Sequence, residues 1–193
     1  MKELVFATNN LNKLKEVQSL LPDDINLLSL ADIGCKEDIP ETQLTIEGNA
    51  IMKATFIKER YGYDCFADDT GLEVQALNNE PGVFSARYAG PQRNANDNMD
   101  KLLNELEYKK NRSARFKTVI ALIQDDQLKT FTGICEGEIS KTKKGDQGFG
   151  YDPIFRPQGH IQTFGQLDLK KKNKISHRAK AILQLCNYLT DIE

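Results

Sequence analysis

Tryptophan is absent from this chain, histidine occurs twice, and the 193 residues include only four cysteines and six prolines. The cysteines (Cys35, Cys65, Cys135 and Cys186) stand 30, 70 and 51 positions apart. No CxxC or CxxxC pair exists, so the spacing argues against a structural zinc site. The thiols are expected to be reduced and mostly buried, as in a cytosolic protein. No run reaches the roughly 18 apolar residues that a membrane-spanning helix needs, and no membrane partner is expected. Met1-Lys2-Glu3 leads straight into the strand-like Leu4-Val5-Phe6, so no signal peptide is expected and the location is read as cytoplasmic. Neither sign of charge dominates, with 26 Lys+Arg against 28 Asp+Glu and a net charge of −2. Proteins held on a nucleic-acid duplex by many phosphate contacts usually carry a basic surplus. No nucleic-acid partner is therefore expected, and any phosphate binding should be local and aimed at a small anion. Internal repeats, low-complexity tracts and linkers are also missing.

What is present is ordinary globular composition. Hydrophobic residues make up 39% of the chain, and with the glycines the apolar share is that of a soluble protein. A chain of this length buries roughly 70% of its unfolded surface, enough for one self-sufficient domain spanning residues 1–193. Leu4 to Ala7 reads as a buried strand running into the turn-forming Thr8-Asn9-Asn10. Leu11, Leu14, Val17, Leu20 and Leu21 recur at helical spacing, and Pro22-Asp23-Asp24 stops that helix before a second strand from Ile25 to Leu30. Strand, turn, helix, strand is the opening unit of an α/β fold. Ile33 to Gln43 reads as a loop, and Thr45 as the cap of a helix through Ala50, Ile51, Ala54 and Ile57 that Gly62 closes. A strand Cys65–Ala67 is expected to end in Asp68-Asp69-Thr70-Gly71, followed by Leu72 to Leu77. Further along come a turn at Pro81-Gly82, a helix over Asp97–Leu106, and a strand through Phe116–Ile123. A hairpin at Asp125-Asp126 leads into Leu128–Ile134. The last helix is expected from about Ser176 to Leu189. The sheet should therefore be mixed.

Four stretches carry residues suited to chemistry. Thr8-Asn9-Asn10-Leu11-Asn12-Lys13 places small polar residues at a helix start, where free backbone N–H groups and the helix dipole attract anions. Lys13 adds a positive charge one turn in. The glycines of a Walker A loop are missing. Asp68-Asp69 puts two carboxylates at what reads as a strand end, an arrangement suited to a hard cation such as Mg²⁺, with Glu41 as a possible third ligand. Because successive strand side chains point to opposite faces, both carboxylates can serve one site only if the strand stops there. In Gly148-Phe149-Gly150-Tyr151-Asp152-Pro153 the glycines allow close backbone approach, and Phe149 and Tyr151 offer stacking faces. Lys172, His177 and Arg178 put cations at the start of the final helix, against the helix dipole, which an anionic ligand would explain. His160, in a Gln158-Gly159-His160 turn, reads as a surface residue.

Taken together and in this order, these stretches resemble the inosine triphosphate pyrophosphatase family, the non-canonical purine nucleoside triphosphate pyrophosphatases. The matching segments are Phe6 to Asn10 with Lys13, Glu41-Thr42, Asn49-Ala50 with Lys53-Ala54, and Ala67 to Leu72. They continue with Pro81 to Gly90, Gly148 to Phe155, and Ile175 to Arg178. The resemblance implies an elongated mixed β-sheet flanked by helices, two lobes around a substrate cleft, and a homodimer. It implies Mg²⁺-dependent hydrolysis of inosine or xanthosine triphosphates to the monophosphate and pyrophosphate, cleansing the nucleotide pool. Carried over by motif, Thr8, Asn9, Asn10, Leu11, Asn12 and Lys13 would hold the triphosphate. Glu41 and Asp69 would hold the metal, Asp69 would accept the proton, and Thr70 would lie against the substrate. Phe149, Gly150, Tyr151, Asp152, Lys172, His177 and Arg178 would surround the nucleotide. Asp68 shares the acid–base role as an open alternative to Asp69. Departures from the family pattern fall at Gln43, at Glu47-Gly48 before Asn49, and at Gln166 where Glu is common. Three other readings stay open: a related pyrophosphatase for other modified nucleotides, a nucleotide sensor without turnover, and a single-strand nucleic-acid binder. The intact Glu41, Asp68, Asp69 and Lys13 argue against the sensor, and the net charge argues against the nucleic-acid binder.

Overall fold

The computed structural model describes residues 2–190. The elements in chain order are β1 (Lys2–Phe6), α1 (Leu11–Gln18), β2 (Ile25–Leu28), α2 (Ile46–Tyr61), β3 (Cys65–Val74) and β4 (Pro81–Gly82). They continue with α3 (Ala95–Glu105), β5 (Ser113–Gln124), β6 (Gln127–Ile139), β7 (Phe155–Pro157), α4 (Leu169–Lys172) and α5 (His177–Thr190). The strands hydrogen-bond in the order β2-β1-β3-β5-β6-β7, and β4 pairs with β3. The fold is mixed α/β, with a mixed sheet and flanking helices, as the alternating strand and helix patterns imply.

The described chain divides into two compact units, and β3, β5 and β6 each contribute residues to both. The first unit is drawn from Met1–Asp69, Thr118–Gly133 and Arg178–Glu193. In it β1 pairs in parallel with β2 (Leu4 opposite Leu27) and with β3 (Phe6 opposite Phe66). Parallel central strands are covered on both faces, which is why Leu4, Val5, Phe6 and Ala7 form an unbroken apolar run, all buried. Leu4, Phe6, Phe66, Ile120 and Leu122 pack with Val17 of α1 and with Ala181, Ile182, Leu185 and Leu189 of α5. The Phe6 and Phe66 rings stack with centroids 4.6 Å apart. The other face of β3 meets α2, since the Cys65 thiol lies 3.2 Å from the Ala54 carbonyl oxygen. Asp125 and Asp126, at φ 48° and 59°, make the two-residue turn between β5 and β6 with the left-handed backbone that matches strand twist.

The second unit is drawn from Thr70–Lys117 and Ile134–His177. Its core gathers Leu72, Val74, Met99, Leu102, Phe116, Ile139, Tyr151, Ile154, Phe155 and Phe164. β3 pairs antiparallel with β4, and β6 with β7.

The sequence reading is corrected in one place that matters for the site. β3 does not end at Asp68-Asp69; it runs unbroken through Thr70 and Gly71 to Val74. Smaller differences lie at element ends: β2 stops at Leu28, β6 reaches Ile139, α3 starts at Ala95 and α5 at His177. All four cysteines are free, and Cys35, Cys65 and Cys135 are buried. His160 is exposed, as expected. Among the described residues no helix is long and apolar enough to cross a membrane.

Phe66 is fully buried and stacked, so Phe66→Ala should destabilise the protein by about 3–5 kcal/mol. Urea unfolding would measure this, and a loss below about 1 kcal/mol would show that the ring is not a packing centre.

Candidate active site

The site in the first unit follows from the strand alternation of β3. Successive side chains on a strand point to opposite faces, so Asp68 shares the face of Phe66, and Asp69 that of Cys65. The partners divide accordingly. Asp68 Oδ1 accepts from Lys13 Nζ of α1 at 2.8 Å, and its Oδ2 accepts from Arg178 Nε of α5 at 3.2 Å. Arg178 also pairs through Nη1 with Glu16 of α1. Asp68 and Arg178 are each 1% exposed, so this is a buried chain of alternating charges. Burial alone would raise the Asp68 carboxyl. The charges of Lys13, Arg178 and Lys53 outweigh it and hold the group well below the usual carboxylate range. Burial pulls the Lys13 ammonium down from its ordinary value, with Asp68 opposing. Arg178 goes up, because Asp68 and Glu16 overcome the cost of its burial.

Asp69 meets α2 instead. Its Oδ2 accepts from Asn49 Nδ2 at 3.2 Å, and its Oδ1 lies 3.9 Å from Lys53 Nζ. The same ammonium donates to Glu41 Oε1 at 2.7 Å. Asn49 Oδ1 in turn accepts from the backbone N–H of Gln43 at 2.9 Å, tying the loop that carries Glu41 to the helix that holds Asp69. Burial raises the Asp69 carboxyl, and Glu41 and Asp68 raise it further against the opposing Lys53 and Lys13. Two adjacent aspartates thus differ in sign of shift. Asp68, the open alternative for the acid–base role, is paired on both carboxylate oxygens by cations.

The start of α1 also departs from the sequence reading. Asn10 is the N-cap, and its side chain accepts from the N–H groups of Asn12 and Lys13. Thr8 Oγ1 accepts from the N–H of Asn10. The amides of Asn10, Asn12 and Lys13 therefore have partners within the turn, and an anion there would replace these local bonds. Asn9, Leu11 and Asn12 are exposed, and Thr8 and Lys13 half-buried.

In the second unit, Asp152 Oδ2 accepts from the Phe149 N–H at 2.8 Å and from Lys172 Nζ at 2.7 Å. Lys172 Nζ lies 5.0 Å from the centre of the Phe149 ring. Gly148 permits this turn: its φ is +74°, and a Cβ there would come within 2.0 Å of Asp152 Oδ2. His177 stacks on Phe116, with centroids 4.5 Å apart. Phe149 and Gly150 are half-buried, as is Thr70 at the start of this unit. Tyr151 does not present a stacking face: it is 5% exposed within the core, and its hydroxyl donates to the Ser85 carbonyl oxygen at 2.8 Å. Burial raises that hydroxyl's pKa further. Gln166, one of the departures, has a structural task, since its Oε1 accepts from the Thr163 N–H at 3.1 Å.

Sequence reasoning assigned no task to Asn49, Lys53 or Glu16. The available signal was a polar residue at a helix position whose neighbours are apolar. Asn49 and Lys53 are one turn apart on the buried stripe of α2 with Ile46, Ala50, Ala54 and Ile57. Glu16 precedes the buried Val17 in α1.

Comparisons with known proteins bear on the fold and the family. The Ham1 family model matches residues 4–188. A dITP/XTP pyrophosphatase of Flavobacterium psychrophilum is 63% identical, over 96% of this chain and 98% of the relative. One from Flavobacterium johnsoniae is 62% identical, over 97% and 98%. The solved Ham1 protein of Staphylococcus aureus superposes with a TM-score of 0.91 at 40% identity, covering 100% of both chains. A HAM1 protein from Coxiella burnetii gives 0.91 at 42% identity, covering 99% of this chain and all of that one.

Removing the charge of Asp68 would take from half-buried Lys13 an ion-pair partner and leave buried Arg178 paired with Glu16. Asp68→Asn should therefore cost about 3–5 kcal/mol of stability at neutral pH, read by urea unfolding. The folded-state pKa of Asp68 is depressed, so its contribution is present above the unfolded value of about 3.9 and is lost as pH falls below it. The wild-type and Asp68→Asn stabilities should therefore converge in acid. A cost under about 1 kcal/mol at pH 7 would show that the cations do not depend on Asp68.

Proposed function

The chain belongs to the Ham1 family, and on that premise we propose that it acts on non-canonical purine nucleoside triphosphates such as dITP and XTP. It is a nucleoside triphosphate pyrophosphatase, releasing the monophosphate and pyrophosphate. The observation that carries this reading is the split between the two aspartates of β3. One is bonded by Lys13 and Arg178, and its neighbour meets Asn49 and the Lys53 ammonium that Glu41 shares.

Water attacks the α-phosphorus, its proton passes to Asp69 Oδ, and the α–β anhydride bond breaks to free pyrophosphate. Asp69 is the proton acceptor that the resemblance carries over, and it meets the Asn49 amide and the Lys53 ammonium shared with Glu41 where Asp68 is bonded by two cations. Lys13 and the start of α1 neutralise the phosphates, and Asp68 keeps Lys13 in position.

Magnesium fits the donor set: Glu41 and Asp69 are hard oxygen donors, and they already share one positive charge, the Lys53 ammonium. Such an ion takes one or two carboxylates and fills its remaining positions with water and substrate phosphate. When bound there, Mg²⁺ would supply charge neutralisation and a more acidic water. The wider reading carried over from the resemblance is a cytoplasmic homodimer that clears deaminated purines from the nucleotide pool.

Asp69→Asn removes the proton acceptor while leaving the triphosphate contacts, so kcat should fall more than tenfold with KM changed by no more than a few-fold. Retention of more than about a tenth of wild-type kcat, a loss under about 1.4 kcal/mol, would remove Asp69 from that role. The substrate class is tested by pyrophosphate release from ITP, XTP, GTP and ATP, with and without Mg²⁺. The kcat/KM for ITP should exceed that for ATP by about 10²–10⁴, the range of polar discrimination between a 6-oxo acceptor and a 6-amino donor. An ATP value within tenfold of ITP would sink the specificity while leaving the pyrophosphatase chemistry intact.

A further inference from the structure

Lys53 and Asn49 stand one helical turn apart on the buried stripe of α2, and both are directed at the carboxylates assigned to the metal. The Lys53 ammonium is 2.7 Å from Glu41 Oε1 and 3.9 Å from Asp69 Oδ1, and the residue is only 6% exposed. Asn49 holds the second Asp69 oxygen and, through Gln43, the loop that bears Glu41. We propose that Lys53 is a built-in counter-ion at the cation position. It holds Glu41 and Asp69 together in the nucleotide-free enzyme and suppresses binding of a divalent cation until phosphates are present to share its charge.

The physical reasons are charge and confinement. Two carboxylates facing one another repel, and a single ammonium between them removes that repulsion without a metal. A divalent ion on the same carboxylates would lie beside a buried ammonium that water cannot screen well. Because the side chain is enclosed, Lys53 cannot retreat into solvent at little cost. Triphosphate brings several negative charges to the same place, after which ammonium and metal can both be neutralised. Metal and nucleotide therefore bind with positive coupling, each raising the affinity of the other by the same factor. Lys53 is a positioning residue in this scheme, acting through Glu41 and Asp69. The proposal rests on those two residues being the metal ligands of the pyrophosphatase reading.

The test titrates Mn²⁺ alone, followed by the electron paramagnetic resonance of the free ion, with no nucleotide present. Lys53→Met keeps the length of the side chain and removes its charge. It should bind Mn²⁺ at least tenfold more tightly than wild type, and Lys53→Met/Glu41→Gln should lose that gain. Lys53→Arg keeps the charge and should stay within about threefold of wild type. Thermal melting gives a second readout. Without metal Lys53→Met should melt below wild type, and saturating Mn²⁺ should raise its Tm by more than it raises that of wild type. Mn²⁺ affinity in Lys53→Met equal to or below wild type would overturn the proposal. So would a gain that survives Glu41→Gln, or an equal gain in Lys53→Arg. If Lys53→Met does not fold, the Lys53→Arg titration and a Lys53→Gln variant, expected to tighten Mn²⁺ binding in the same way, decide the question. Pyrophosphate release by wild type from ITP with Mg²⁺ is measured in parallel. Its absence would remove the pyrophosphatase reading whatever the titrations give, and its presence with contrary titrations would remove only the counter-ion role.

Discussion

Asp68 lies on an interior strand with almost no contact with water, and each of its oxygens is matched by a cation from a different helix, Lys13 of α1 and Arg178 of α5. A buried charge of this kind is expensive unless it is fully paired, so the three groups have one stable arrangement. That constraint fixes more than one residue. Lys13 is the first cation inside the start of α1, and Arg178 opens the part of α5 that packs on Phe6 and Phe66. Glu16 closes the chain by pairing with Arg178, which joins α1 to α5 a second time. The hydrophobic contacts among Val17, Ala181, Ile182 and Leu185 press the same two helices onto the same strands. Packing brings the elements together, and the charge chain selects their register.

Asp69 owes its different character to one residue of displacement along β3. The alternation of the strand turns it toward α2, where its neighbours are the Asn49 amide, the Lys53 ammonium and, beyond it, a second carboxylate. Where Asp68 has two cations at hydrogen-bond distance, the Lys53 ammonium stands 3.9 Å from Asp69 and is shared with Glu41. The same side chain therefore sits below its usual range in one position and above it in the next. A continuous strand is what separates the two environments, one between two cations and the other against α2.

The second unit repeats the theme with fewer parts. Asp152 and Lys172 form a buried pair beside the Phe149 ring, and a glycine at position 148 lets the Phe149 backbone close onto Asp152. Tyr151 belongs to the core and joins its loop to Ser85. Of the two aromatic residues flanking Gly150, only Phe149 remains partly accessible, so a flat ligand has one ring to meet here.

Local signals in the sequence were enough for most of the elements. The apolar run of β1, the 3.6-residue period of α1, the Thr45 cap and Gly62 stop of α2, and the Asp125-Asp126 hairpin all rest on interactions within a few residues, which composition and spacing encode directly. The segments that hold the site residues were legible too, as clusters of polar groups at element ends. The end of β3 was not. Thr70-Gly71 has turn chemistry, but the strand continues through it and pairs with β4 at Leu72 and Glu73, and such pairing depends on residues outside the dipeptide. Nor could the sequence say that Lys13 and Arg178, 165 positions apart, converge on one carboxylate, that Lys53 lies between Glu41 and Asp69, or that Tyr151 turns inward. Residue type and order determined which groups were available for chemistry and in which local structures they stand. Which charge faces which was decided by tertiary packing, because a buried ion's energy depends on neighbours that only the folded chain brings within a few ångströms.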